Sequence, residues 1–265
     1  ARHTDPVLGT IPPCRSQLLA CHAMPVPAGP GPDEGQGGDM DAMDAVDAVE
    51  QHRQDYTLGS LDVGDVHADP LRQLERWIAD AVAAEVGEPN AMTVATVDAD
   101  GLPDARVVLL RRITERELVW FTDRRSAKGT QLRTTQHAAL VFHWQPLERQ
   151  VRVRGGVAAL DDAASDAYFA SRPRGSRLSA WASHQSQPTP SREAYERQVE
   201  EVEARFDGVE DIPRPPYWGG YALTPVEVEL WQGRRSRRHD RLRYRLGDRT
   251  VAAQGGVWAI ERLQP

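Results

Sequence analysis

Lysine is nearly absent from this chain of 265 residues: Lys128 is the only one. Cysteine is almost as scarce, with Cys14 and Cys21 both in the first stretch. Two such residues make neither a disulfide framework nor a Cys-based zinc site, so no metal and a reducing, cytoplasmic setting are expected. No apolar run approaches the roughly 18 residues of a membrane span, and no membrane partner is expected. The net charge of −7 gives no general reason to expect nucleic acid. No Gly-x-Gly-x-x-Gly turn follows a strand pattern, and strands and helices do not alternate regularly, which disfavours a Rossmann fold.

What is present is ordinary for a globular protein: 40% hydrophobic and 27% charged residues. Arginine supplies nearly all the positive charge, a bias of codons that makes the one retained lysine informative. Residues 1–45 are rich in Pro, Gly, Ala and Asp without apolar periodicity, and read as a disordered tail. Met40 and Met43 sit just before the structured part, as they would if the start were assigned too early. The stretch Ser16 to Ala20 lacks the length and basic start of a secretory signal. Residues 46–265 read as one domain.

Its first firm element is a helix with Asp69 as N-cap and Pro70 at the first position. Leu71, Leu74, Ile78, Ala81 and Val82 follow at helical spacing, and Gly87 and Pro89 end it. Strands are expected around Met92 to Thr96, then over Arg106 to Leu110, Leu118 to Thr122, Ala138 to Trp144 and Gln150 to Val157. Asp98 to Gly101 reads as a hairpin turn. Ser126 caps a short helix through Leu132, and Asp161 or Asp162 starts one that carries Tyr168 and Phe169. A long charged helix spans Ser191 to Phe206. Val226, Val228 and Leu230 alternate with Glu227, Glu229 and Trp231 in a further strand, and the last strands cover Leu242 to Leu246 and Val257 to Arg262. Hairpin-linked strands with interspersed helices point to an antiparallel barrel or α+β fold.

Three clusters can carry chemistry. Arg106 to Arg111 is either an apolar strand with solvated charged ends or a strand laid along a cofactor's edge. Phe121 to Lys128 brings a hydroxyl, a helix N-terminus and cations together, a combination suited to phosphate. A lysine in the first helical turn is unfavourable unless an anion compensates, although a solvated surface charge remains the alternative. Trp231 to Arg241 holds five arginines with His239 and Asp240. Arginine clusters recognise phosphate of any kind, but aromatics interleaved for base stacking are missing here.

Over roughly residues 50–265 the sequence resembles the pyridoxine (pyridoxamine) 5′-phosphate oxidase family. The blocks that carry the likeness run in order: Arg106-Val107-Val108-Leu109-Leu110, Leu147 to Val151, Ser171-Arg172-Pro173-Arg174-Gly175-Ser176, and Ala180 to Ser186. Pro216 to Tyr221, Trp231-Gln232-Gly233, Arg237 to Arg241 and the terminal Glu261 to Pro265 follow. The resemblance implies a mainly β (α+β) split β-barrel with flanking helices, and a homodimer holding FMN at its interface. It also implies oxidation of pyridoxine 5′-phosphate or pyridoxamine 5′-phosphate to pyridoxal 5′-phosphate, with O2 reduced to H2O2. By analogy Arg106, Val107, Val108, Leu109, Leu110, Phe121, Thr122, Lys128, Gln150, Gln185, Ser186, Trp231 and Arg241 would contact FMN. Arg111, Tyr168, Arg172 and Ser176 would hold the substrate phosphate, the last three from a helix into the turn after it. Arg237, Arg238 and His239 would meet the substrate, Arg237 and His239 as the catalytic pair over its ring.

Each has a plainer alternative: Tyr168 as core, Arg172 as a C-terminal helix cap, Trp231 as a packing residue, His239 as an ordinary loop residue. The chain also departs from the family in three places. Arg111 stands where lysine is usual, and Ala127 where arginine often lies beside the flavin phosphate, so Arg124 or Arg125 is the expected substitute. The segment from Gly247 to Gly256 is longer than usual and reads as a surface loop. Two rival functions remain: a related split-barrel flavoenzyme oxidising another ring, such as a phenazine precursor, and a non-catalytic flavin or pyridoxal-phosphate binding protein.

Overall fold

The computed structural model describes residues 55–247 and 257–265. The expected tail, with both cysteines, Met40 and Met43, lies outside these residues, as does the surface loop after Gly247.

Helix α1 (Pro70–Ala83) starts where its caps put it: Asp69 accepts the Leu71 N–H at 2.8 Å and Pro70 opens the first turn. Leu71, Leu74, Trp77 and Ala81 are buried, whereas Val82 is 58% exposed because it falls beyond the edge of the apolar stripe. The helix ends at Ala83, before Gly87.

The remainder is built on one antiparallel sheet. Its strands are β1 (Ala91–Val97), β2 (Pro103–Leu109), β3 (Arg112–Ile113), β4 (Leu118–Asp123), β5 (His137–Trp144), β6 (Arg149–Ala159), β7 (Trp218–Gln232), β8 (Asp240–Leu246) and β9 (Trp258–Leu263). They run in the order β2-β1-β5-β6-β7-β4-β3. β7 carries β4 along its first half and β8 along its second, with β9 beyond β8. In β6 Val151 and Val153 are buried while Arg152 and Arg154 face out, the alternation that a half-buried strand requires.

The strand read over Val226 to Trp231 begins eight residues earlier, at Trp218. Its alternation breaks at Val226, which is exposed: Arg154 pairs Glu227 and Gly155 pairs Pro225, leaving Val226 unpaired in a bulge. Pro225, with no N–H to give, sits beside that irregularity, and a Cβ on Gly155 would collide with the Thr224 carbonyl.

The sheet curls around Leu74, Trp77, Met92, Leu140, Phe142, Trp144, Val151, Val153, Val228, Leu230, Leu242 and Tyr244. Among the described residues four further α-helices flank it: α2 (Ala127–Thr135), α3 (Asp162–Ala170), α4 (Arg174–Ala182) and α5 (Arg192–Arg205). α2 and α3 begin at Ser126 and Asp161, which accept the N–H groups of Gly129 and Ala164. α4 packs on α5 over Leu178, Phe206 and Ile212. Arg214 ties α3 to the start of β7, donating to Asp162, Asp166 and the Trp218 carbonyl at 2.6–2.8 Å. None of the described helices is long and apolar enough to cross a membrane.

Candidate functional site

A cleft of about 410 Å³ opens between β2, β4 and helices α2 to α5. Val107, Val108 and Leu109 form one wall, and Phe121, Tyr168 and Trp218 another. The rings of Phe121 and Tyr168 stack with centroids 3.9 Å apart, and Trp218 lies parallel to Phe121 at 5.4 Å. β2 ends the strand order, so among the described residues no strand pairs with its outer edge.

Two cations at this space have no hydrogen-bonded anion among the described residues. Lys128 is buried, and its Nζ donates to Gln185 Oε1 at 2.7 Å, Thr122 Oγ1 at 3.1 Å and Ser126 Oγ at 3.4 Å, all neutral oxygens. Burial, with Arg106 adding repulsion, pulls its pKa down to about 8 against the pull of Asp123 and Asp104. Arg172 lies over the Trp218 ring at 4.6 Å, and its Nη1 is buried with no hydrogen-bond partner. Burial lowers its pKa as well; Tyr168 opposes the shift and Arg111, on the cleft rim, adds to it. Such cations are costly unless an anion completes them.

A second cluster lies at the far end of β7. Gln150 pairs with Trp231 and Trp231 with Arg241, one row across β6, β7 and β8. The His239 ring sits 4.6 Å from that of Trp231, and Tyr56 packs edge-on against both. His239 Nδ1 accepts the Arg234 N–H at 3.1 Å, which leaves its proton on Nε2; burial and then Arg237 lower its pKa. The loop turns through Ser236 and Arg237 with φ of 56° and 60°, the left-handed region that side chains seldom adopt.

A family model described as pyridoxamine 5′-phosphate oxidase matches residues 78–206, and one described as the pyridoxine 5′-phosphate oxidase C-terminal dimerisation region matches residues 218–265. A protein of Cupriavidus necator named pyridoxine/pyridoxamine 5′-phosphate oxidase is 52% identical over 213 residues, 80% of this chain and 97% of its own. The chain belongs to the pyridoxine/pyridoxamine 5′-phosphate oxidase family. A relative of the same name from Burkholderia vietnamiensis is 51% identical over the same shares of both chains. Among solved structures, PhzG from Burkholderia lata 383, in complex with tetrahydrophenazine-1-carboxylic acid, is 34% identical with a TM-score of 0.69, covering 78% of this chain and all of that one. A pyridoxamine 5′-phosphate oxidase-related, FMN-binding protein of Nostoc punctiforme shares the fold at 22% identity and a TM-score of 0.57, over 74% of this chain and 97% of its own. The curled antiparallel sheet is therefore the split barrel of this family.

Of the residues singled out in the sequence, the cleft gathers Val107, Val108, Leu109, Arg111, Phe121, Thr122, Lys128, Tyr168, Arg172 and Gln185. Leu110 points into the core, 6% exposed. Arg106 is held inside its own chain by Asp104, Thr96, Gln131 and the Val94 carbonyl. Ser176 is not in the turn after α3 but in α4, off the cleft lining, and Ser186 lies in the neighbouring loop with φ of 69°. Gln150, Trp231, Arg237, Arg238, His239 and Arg241 belong to the far end. Neither substitute for Ala127 lines the cleft: Arg124 donates to the Leu160 carbonyl, and Arg125 grips Asp123 and covers the Tyr217 ring. The sequence reading missed Tyr56, which carries no motif of its own, and Tyr195 of α5, which lines the cleft beside Ser179 and Ser183.

Proposed function

We propose that the protein is an FMN-dependent oxidase that converts pyridoxine 5′-phosphate or pyridoxamine 5′-phosphate to pyridoxal 5′-phosphate, reducing O2 to H2O2. The observation that carries this reading is the pair of anion-starved cations, Lys128 and Arg172, in one cleft with an aromatic wall. Two phosphate-bearing ligands, a flavin mononucleotide and a phosphorylated ring, suit that arrangement. The donor set fits FMN: Lys128, Thr122 and Gln185 for its phosphate end, and the unpaired edge of β2 at Val107 to Leu109 for a planar heterocycle with its own donors and acceptors. Bound there, FMN would accept a hydride from the substrate carbon and pass its electrons to O2; the protein supplies orientation and electrostatics.

Arg172, with Arg111 and the Tyr168 hydroxyl, holds the substrate phosphate; Ser176 joins them only by analogy, being off the lining. Arg237 and His239 set the ring, His239 presenting its Nε2–H. They reach it from another copy of the chain. Trp218 lines the cleft and Trp231 begins the second cluster, 13 residues along the same strand, or roughly 40 Å of contour at about 3.3 Å per residue. A two-fold homodimer, in which the segment matching the dimerisation region from one protomer completes the cleft of its partner, joins the two halves. Gln150, Ser186, Trp231 and Arg241 then meet FMN, Arg106 and Leu110 supporting its wall from beneath. Residues 46–265 act as this one oxidase domain.

The test is release and identification of the bound chromophore, then oxygen uptake and peroxide formation with each phosphorylated vitamer. Turnover of a tetrahydrophenazine carboxylate in place of both vitamers would move the protein to the chemistry of its PhzG neighbour. A bound flavin with no turnover of any of them would leave a binding protein.

A further inference from the structure

Glu229 stands in β7 two residues before Trp231, with its side chain 7% exposed. Its carboxylate takes Arg241 in a fork, Nε on Oε1 at 3.0 Å and Nη2 on Oε2 at 3.2 Å, and Arg152 Nη1 approaches Oε2 at 3.3 Å. Arg241 Nη1 donates to the Gln264 carbonyl at 3.1 Å. All three guanidinium nitrogens are thus committed, and one N–H on each of Nη1 and Nη2 is left to point elsewhere. A buried carboxylate gives little net stability, because desolvation offsets most of its attraction to a cation. What a two-point fork does give is a fixed plane: the guanidinium cannot turn about its last torsion while both bonds hold.

We propose that Glu229 is a positioning residue that fixes the plane of Arg241 toward FMN. The inference rests on the reading that Arg241 contacts FMN, and the experiment separates failure of the one from failure of the other. It is a double-mutant cycle on FMN affinity, using Glu229→Gln and Arg241→Lys singly and together, with the apoproteins titrated by flavin fluorescence. The glutamine keeps the volume and one acceptor but sets an NH2 against the guanidinium, so the fork opens. The lysine keeps the charge but has no plane to fix.

Glu229→Gln is expected to weaken FMN binding roughly tenfold in the native background and less than about twofold in the Arg241→Lys background, as contacting residues couple. An equal loss in both backgrounds means that Glu229 is merely structural and overturns the proposal. A silent Glu229→Gln with a weakened Arg241→Lys overturns it too, while the reading of Arg241 stands. A silent Arg241→Lys removes that reading, and the proposal goes with it. Should Glu229→Gln not fold, Glu229→Asp replaces it: the charge remains but the reach is one methylene short, and the same loss of FMN affinity is expected, again confined to the background with Arg241.

Discussion

The pH dependence of FMN binding to the apoprotein isolates Lys128. Lys128 is 6% exposed, and among the described residues its ammonium donates only to the neutral oxygens of Gln185, Thr122 and Ser126. Burial first, and Arg106 second, bring its pKa from 10.5 to about 8. The difference is an unfavourable term on the order of 3 kcal/mol in the charged, ligand-free protein. The folded pKa lies below the unfolded one, so the folded apoprotein binds fewer protons between the two values. The cost is fully present below about pH 8 and disappears as the pH rises towards 10.5. A phosphate beside Nζ favours the charged form and raises the pKa again, so FMN binding takes up a proton once the free lysine has lost it.

FMN affinity should therefore be level from about pH 7 to 8, where the phosphate is already close to dianionic, and should then weaken towards tenfold per pH unit. Lys128→Ala should abolish the slope and weaken binding at neutral pH by roughly 10- to 150-fold, the equivalent of about 1.5–3 kcal/mol for one charge-assisted contact. Fluorescence titration of wild-type and variant apoprotein over this range reads both effects. A wild-type affinity that stays level to about pH 9.5, or a slope that survives in Lys128→Ala, refutes the assignment of Lys128 to the phosphate.

Arg172→Ala should raise KM for the phosphorylated vitamer by roughly 10- to 150-fold with flavin retained, since it removes one anion contact from a ligand held by several groups. Arg237→Ala should depress kcat more than KM, because in the proposed function it sets how the ring lies rather than how the phosphate is held; steady-state kinetics with FMN occupancy checked by absorbance compares the two. Gly219→Ala should destabilise by about 1–3 kcal/mol in urea, because the new Cβ meets the Arg124 guanidinium, itself packed with its Nε buried and unpartnered. Removal of residues 1–39, a stretch without apolar periodicity, should leave solubility and flavin content unchanged.

What the sequence made legible is what local rules decide. The α1 start follows from Asp69 and Pro70, the α2 start from Ser126, and the exposed arginines of β6 from strict alternation with valine. Each depends on neighbours within a few positions. α4 escaped notice because Pro173 precedes it without a side-chain cap and only Leu178 and Ala182 of its residues are buried. The bulge at Val226 was invisible for a different reason: an alternation count sees one strand, whereas the extra residue exists only relative to β6.

The same limit governs the site. Lys128, Thr122, Tyr168 and Arg172 could be named from type and motif, but only the folded chain shows that, among the described residues, no carboxylate hydrogen-bonds to the two cations in the cleft. Arg106 carries the same charge and adjoins Val107 of the cleft wall, yet Asp104 and Gln131 claim it. Trp231, His239 and Arg241, which the family resemblance groups with the cleft, stand at the other end of β7. In the proposed homodimer, a strand that bears half of the candidate site at each end is completed by a second copy of the chain. In that proposal the catalytic unit follows from the length of β7, a quantity that no motif spacing reveals.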